Sequence, residues 1–246
     1  LAGPFRGARV HHGESSVIFG FAGTRAGEDY MTAGLRIIYR YHGQLYTVLA
    51  WSAAVACVSS NCRTGNLAAS GRAEDVVRHA TGHPARGPVL DLGVGAGRVA
   101  LYLQERGLRV TAVDASPGAA EVCRRRGVAD VRLGDVNDPP ADQPWAAVLL
   151  LCGNLGLGGS WEGSRRLLAR LAELAAPGAV LVGDSVTPAG SPQVDLRIRY
   201  QDLVTPWWPQ YNIPAPQMAA LVEGTGWRMQ RHLEDGDDHA VLLRRT

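Results

Sequence analysis

The sequence predicts an α/β fold built on a mostly parallel sheet that finishes in an antiparallel pair. Three observations predict it. From residue 88 onward, short β-branched and apolar runs alternate with longer helical segments. A glycine-rich turn, Gly93-Val94-Gly95-Ala96-Gly97, joins the first such run to the first helical segment. Near the end, Asp235-Gly236 separates two alternating runs, which is a hairpin signal.

The elements follow in order. Val89 to Leu92 is a first buried strand, and Arg98 to Arg106 a helix with Val99, Leu101, Tyr102 and Leu103 on its apolar side. Arg109 to Val113 is the second strand, ended by Asp114. Ser116-Pro117 then opens a helix with a cap and a proline in the first turn, running to Arg126 before Gly127. Val128 to Leu133 is a third strand, and three prolines between Asn137 and Pro144 leave little room for a helix after it. Ala146 to Leu151 is all apolar and predicts a fourth strand buried on both faces. Glu162 to Ala176 is an amphipathic helix, Pro177-Gly178 breaks it, and Ala179 to Val182 is the fifth strand. In the tail, Val194 to Tyr200 alternates and Pro206 to Pro216 is proline-rich. A helix runs from about Ala215 to Glu223, and Trp227 to Leu233 and His239 to Leu243 form the closing hairpin.

Residues 1–87 have no comparably legible pattern. They are expected to form a mainly helical cap or dimerisation arm on an 88–246 domain, which allows a homodimer. Leu45 to Val58 is too short for a membrane span and is expected to be a core helix. Leu1 to Val10 lacks the apolar centre of a signal peptide. Cys57, Cys62, Cys123 and Cys152 are too irregular for a disulfide framework or a zinc knuckle, so a cytoplasmic protein with free thiols is expected. His79 and His83 have helical ligand spacing, but Gly82 and Pro84 argue against one helix carrying both, and no metal is expected. The chain contains no lysine. Its 25 basic residues are all arginine, against 23 acidic ones, for a net charge of +2. That balance gives no reason to expect nucleic acid, because such binders concentrate far more positive charge.

The chemistry centres on Asp91-Leu92-Gly93-Val94-Gly95-Ala96-Gly97. Glycines where a strand becomes a helix permit a tight turn and close backbone approach to a ligand. Asp114, at the end of the second strand, is placed to accept both ribose hydroxyls of an adenosine-bearing cofactor. Asp135, at the end of the third, is a candidate for an adenine edge, or a plain turn aspartate. Asp184, beyond the fifth strand, lies on the edge where ligands collect in such sheets. It is the candidate for orienting or deprotonating an acceptor, or it caps a turn. Trp207, Trp208 and Tyr211 could stack on a planar substrate, or pack a proline-rich loop.

The order D-x-G-x-G-x-G, Asp114, Gly134-Asp135 and a terminal hairpin resembles the class I S-adenosylmethionine-dependent methyltransferases across residues 86–246. Leu150-Leu151-Cys152-Gly153-Asn154-Leu155-Gly156 is similar to the segment after the fourth strand in small-molecule members. The resemblance implies a Rossmann-like sheet of seven strands and S-adenosylmethionine as cofactor. Asp91, Gly93, Gly95 and Gly97 would hold its methionine part, Asp114 with Ala115 its ribose, and Asp135 with Val136 its adenine. Cys152, Gly153 and Asn154 would lie beside the sulfonium and the acceptor, under a lid containing Trp207, Trp208 and Tyr211.

The implied activity is metal-independent methyl transfer to a small molecule, for instance a specialised metabolite, by positioning with or without a general base. The Asn/Asp-Pro-Pro-Tyr/Phe motif of amino-methylating nucleic-acid enzymes is missing after the fourth strand, and Asp138-Pro139-Pro140 precedes it. The divalent-metal catechol arrangement is missing as well. The alternatives are an RNA or DNA methyltransferase, a methyltransferase fold serving as a non-methylating enzyme or binding protein, and a nicotinamide enzyme, which the terminal hairpin disfavours.

Overall fold

The computed structural model describes residues 87–200, 203–235 and 237–246, and before them the strands at 30–31, 35–41, 44–50 and 55–56. In chain order the strands are β1 (Tyr30–Met31), β2 (Leu35–Tyr41), β3 (Gln44–Ala50), β4 (Val55–Ala56), β5 (Val89–Leu92), β6 (Val110–Asp114) and β7 (Asp130–Leu133). They continue with β8 (Trp145–Leu150), β9 (Ala175–Val186), β10 (Gln193–Tyr200), β11 (Leu203–Val204), β12 (Trp208–Tyr211), β13 (Trp227–Asp235) and β14 (Asp238–Arg245). The α-helices are α1 (Arg98–Gln104), α2 (Pro117–Arg125), α3 (Trp161–Leu174) and α4 (Met218–Val222), with 3-10 turns at Asn154–Gly158 and Ala215–Gln217.

Seven strands form the main sheet in the order β13-β14-β9-β8-β5-β6-β7. The five from β9 to β7 run parallel, while β14 pairs antiparallel with β9 and β13 with β14. This is the expected mostly parallel sheet with its antiparallel end. The reason lies in the central strands, which are mostly apolar on both sides: β8 is apolar throughout, and β5 is buried at all four positions. Leu90, Leu92, Val148, Leu150 and Leu181 pack on one face, against Leu167, Leu168 and Leu171 of α3 and Leu221 of α4. Val89, Ala147, Leu149, Val180 and Val182 pack on the other, against Val99 and Leu103 of α1 and Cys123 of α2. The alternation is the two-residue period of a strand, read twice. Helix starts follow their caps: Ser116 Oγ accepts the Ala119 amide, and Ser160 Oγ accepts that of Gly163.

A second, antiparallel sheet orders β11-β10-β2-β3, with β12 also paired to β10. It joins the N-terminal hairpin β2–β3 to strands inserted after β9, in register from Arg36↔Arg199 to Arg40↔Asp195. This corrects two expectations. Leu45 to Val58 is not a core helix, since Gln44–Ala50 is a strand, and the part of the N-terminal cap that is described is strand rather than helix. Leu35–Tyr41 and Gln44–Ala50 are rich in Ile, Tyr, Val and Thr, which favour strands. A short apolar run alone does not distinguish a strand from a buried helix. Cys57, Cys62, His79 and His83 lie outside the described residues. Among the described residues no helix is long and apolar enough to cross a membrane.

Candidate active site

Three loops meet at the carboxyl ends of β5, β6 and β8. After β5 the chain turns through Gly93, Gly95 and Gly97 at φ 72°, 58° and 76°. At Gly93 the reason for glycine is doubled. The backbone is left-handed, and an ideal Cβ would stand 2.3 Å from Asn154 Nδ2. That amide occupies the space because it donates to Leu92 O at 2.9 Å and Gly93 O at 3.0 Å. Asn154 therefore ties the turn after β8 to the glycine loop.

Asp114 closes the loop from the other side. Its Oδ2 accepts the Gly95 amide and its Oδ1 the Ser116 amide, both at 2.8 Å. Burial pushes its carboxyl above the usual range, and those two amides pull it back. Beneath the loop, Cys123 Sγ donates to Gly95 O at 3.0 Å, and Arg126 Nη1 donates to Ala96 O. Burial also pushes the Cys123 thiol up, to about 11. Asp91 is 4% exposed, and its carboxyl is raised to about 7 by burial, with Arg98 opposing and Asp114 adding to the shift.

After β8, Cys152 and Gly153 are both left-handed, at φ 67° and 80°, and Cys152 is the only non-glycine with positive φ among the described residues. The turn is held from two sides. The Gly153 amide donates to Asp184 Oδ1 at 2.5 Å, and Gly153 O accepts from Gln210 Nε2 at 2.8 Å. Burial raises Asp184 to about 6, against the pull of the Gly153 and Cys152 amides. Arg98 is hydrogen-bonded to the Cys152 side chain, whose thiol is pushed well above its ordinary range by burial. Three carboxylates, Asp91, Asp114 and Asp184, thus surround this region with Arg98 among them.

The remaining sequence candidates divide. Ala115 is exposed beside Asp114. Asp135 is exposed on the loop after β7, where Oδ1 accepts the Asn137 amide in an Asx turn, while Val136 packs partly against the core. Trp208 stands opposite Leu196 in the second sheet, and Trp207 lies under the Arg197 guanidinium at 4.7 Å. Tyr211, 9% exposed, packs edge-on to Trp161 with ring centroids 6.3 Å apart. Sequence reasoning passed over Arg98, Cys123, Arg126 and Gln210. Only Arg98, next to the last loop glycine, has a local signal. The others reach the loops from 28 to 57 residues away.

Residues 89–178 match the family model described as a methyltransferase domain. An uncharacterized methyltransferase of Staphylococcus carnosus is 36% identical over 61 residues, which are 25% of this chain and 30% of the relative's length. A crystallised S-adenosylmethionine-dependent methyltransferase from Bacteroides fragilis, in complex with S-adenosyl-L-homocysteine, superposes with a TM-score of 0.64 at 21% identity. It covers 87% of this chain and 88% of its own. A Burkholderia thailandensis N1-methyltransferase, with bound 1,6-didemethyltoxoflavin and S-adenosylhomocysteine, gives a TM-score of 0.55 at 22% identity, over 73% of this chain and 79% of its own. At these identities the solved structures show that the methyltransferase fold extends beyond the matched domain.

Proposed function

We propose that this protein transfers a methyl group from S-adenosylmethionine to a small-molecule acceptor. The observation that carries the reading is that the glycine loop, Asp114 and the Cys152–Asn154 turn form one hydrogen-bonded unit at the carboxyl edge of the sheet. The residues fit the cofactor. Asp114 has spent only two of its four or so acceptor positions on amides, which leaves acceptors for ribose hydroxyls. Asp91 and Asp184 supply carboxylates on a site that would hold a sulfonium and an ammonium. The solved neighbour with a bound small molecule supports the acceptor class.

When bound, S-adenosylmethionine supplies an already activated methyl group, so the chain's task is alignment and exclusion of water. Asp91 and the loop glycines hold the amino-acid end, Asp114 the ribose, and Asp135 with Val136 the adenine. Asp184 is assigned a positioning role, because its Oδ1 keeps Gly153, and with it Cys152, in a left-handed conformation beside the reacting groups. Trp208 of the second sheet faces the acceptor.

Calorimetry with S-adenosylhomocysteine tests the reading. Saturable binding is expected, weakened at least about tenfold in Asp114→Ala, as the loss of charge-assisted hydrogen bonds implies. Tight NADH binding with none for S-adenosylhomocysteine would overturn it. Mass spectrometry of mixtures of hydroxyl- and amine-bearing small molecules, incubated with protein and S-adenosylmethionine, should then show one product heavier by a methylene unit.

A further inference from the structure

We propose that Gln210 is a positioning residue that latches the second sheet onto the cofactor turn, so that ligand binding at the glycine loop and seating of β12 are coupled. The inference rests on the methyl-transfer reading and adds a residue that no sequence pattern singles out.

Gln210 is 5% exposed, and its Nε2 donates to Gly153 O at 2.8 Å. A carbonyl can only accept, so this contact fixes which end of the carboxamide faces the turn. The backbone amide of Gly153 in turn donates to Asp184 Oδ1. Gly153 is therefore gripped between β9 and β12. The next residue, Asn154, reaches back to Leu92 O and Gly93 O. Glycine loop, Asn154, Gly153 and Gln210 make one unbroken run of contacts.

A second observation shows that β12 is seated by design of the backbone. An ideal Cβ on Gly156 would stand 2.2 Å from Tyr211 O and 2.6 Å from Gln210 Nε2. One on Gly159 would stand 2.7 Å from Pro209 Cγ. The strand rests directly on the 3-10 turn, with no room for a side chain between them. Its register with β10 puts Val194 opposite Gln210 and Leu196 opposite Trp208, so all four share one face. Fixing Gln210 on Gly153 thereby sets how Trp208 faces the turn. Because coupling is reciprocal, a ligand that orders the turn must also order β12.

Hydrogen–deuterium exchange with and without S-adenosylhomocysteine tests this. In the unaltered protein the ligand is expected to slow exchange at 92–97 and, at least about fivefold, at 208–211. In Gln210→Met the loop protection should persist while that at 208–211 falls below about twofold. Gly159→Ala, whose Cβ would meet Pro209 of the strand rather than Gln210, should do the same. Equal protection of 208–211 in both variants, or protection of the loop without 208–211 in the unaltered protein, overturns the latch and leaves the cofactor reading standing. No protection at the loop overturns both.

Discussion

The contact between Gly93 and Asn154 can be tested by a double-mutant cycle whose outcome follows from the geometry. In Gly93→Ala the new residue must hold φ +72°, a strain of about 1 kcal/mol for an L-residue. Its Cβ would also lie 2.3 Å from Asn154 Nδ2, so the carboxamide must leave. It then loses its bonds to Leu92 O and Gly93 O, worth about 2 kcal/mol together. Gly93→Ala should therefore cost about 3 kcal/mol, and Asn154→Ala, which loses the same bonds, about 2 kcal/mol. Independent effects would bring the double variant to about 5 kcal/mol. With Asn154 already removed, however, the alanine at 93 has nothing to displace and adds only its backbone strain. About 3 kcal/mol is expected, an interaction energy of about 2 kcal/mol. Urea denaturation followed by circular dichroism measures all four corners. Additivity to within about 0.5 kcal/mol would refute the claim that Asn154 fills the space at Gly93.

Two pH dependences of opposite sign should appear in the same experiment. Asp91 is raised to about 7 in the fold, so the folded protein holds a proton that the unfolded chain has released. Its contribution to stability is fully present below about pH 4 and is lost as pH rises toward 7. Asp91→Asn should thus gain stability relative to the unaltered protein between pH 5 and 8, by at most about 1.4 kcal/mol per unit; a constant difference would contradict the assignment. His239 behaves in reverse. Its Nε2 lies 2.8 Å from Ile213 O and so carries the proton, leaving Nδ1 to accept from His232 Nε2 at 3.1 Å. Burial holds it below the ordinary histidine range, with His232 adding to that shift and Ile213 O, Glu234 and Asp238 opposing it. Its contribution is present above about pH 6.5 and is lost as pH falls. The unaltered protein should weaken relative to His239→Gln between pH 7.5 and 5.5, and parallel profiles would show that the neutral imidazole is not required.

What was legible in the sequence depended on whether a signal is local. The glycine loop, Asp114 at a strand end and the Asp-Gly hairpin each announce themselves within a few residues, and all three stand where expected. Boundaries were less legible. β9 starts at Ala175 and runs through Pro177-Gly178, because pairing of Ala175 with Trp145 extends it beyond the apolar run. β12 was hidden inside a proline-rich stretch, since its strand character comes from pairing with β10. Gln210 was hidden with it, its partner being 57 residues earlier. Tyr211 shows the limit of composition. An aromatic residue in a presumed lid carries no mark of which side it packs on, and its ring lies in the core against Trp161. The strand-end position of Asp184 was visible, but its hydrogen bond to the Gly153 amide was not, because a left-handed cysteine leaves no trace in sequence.

The pairing of β2 with β10 sets a timetable for the growing chain. Residues 36–40 are made early, yet their partners at 195–199 lie more than half the chain away. Closing so long a loop is slow, since its entropy must be given up before any strand contact forms. During synthesis the β2–β3 hairpin therefore waits with one edge unpaired while the whole parallel sheet is translated. The mirror situation holds for a chain shortened at the front. Without residues 35–50, β10 would keep β11 and β12 on one side and offer the other as an open edge, a template for a second molecule to dock as a strand. Expression of such a truncation should give assemblies rather than a smaller monomer.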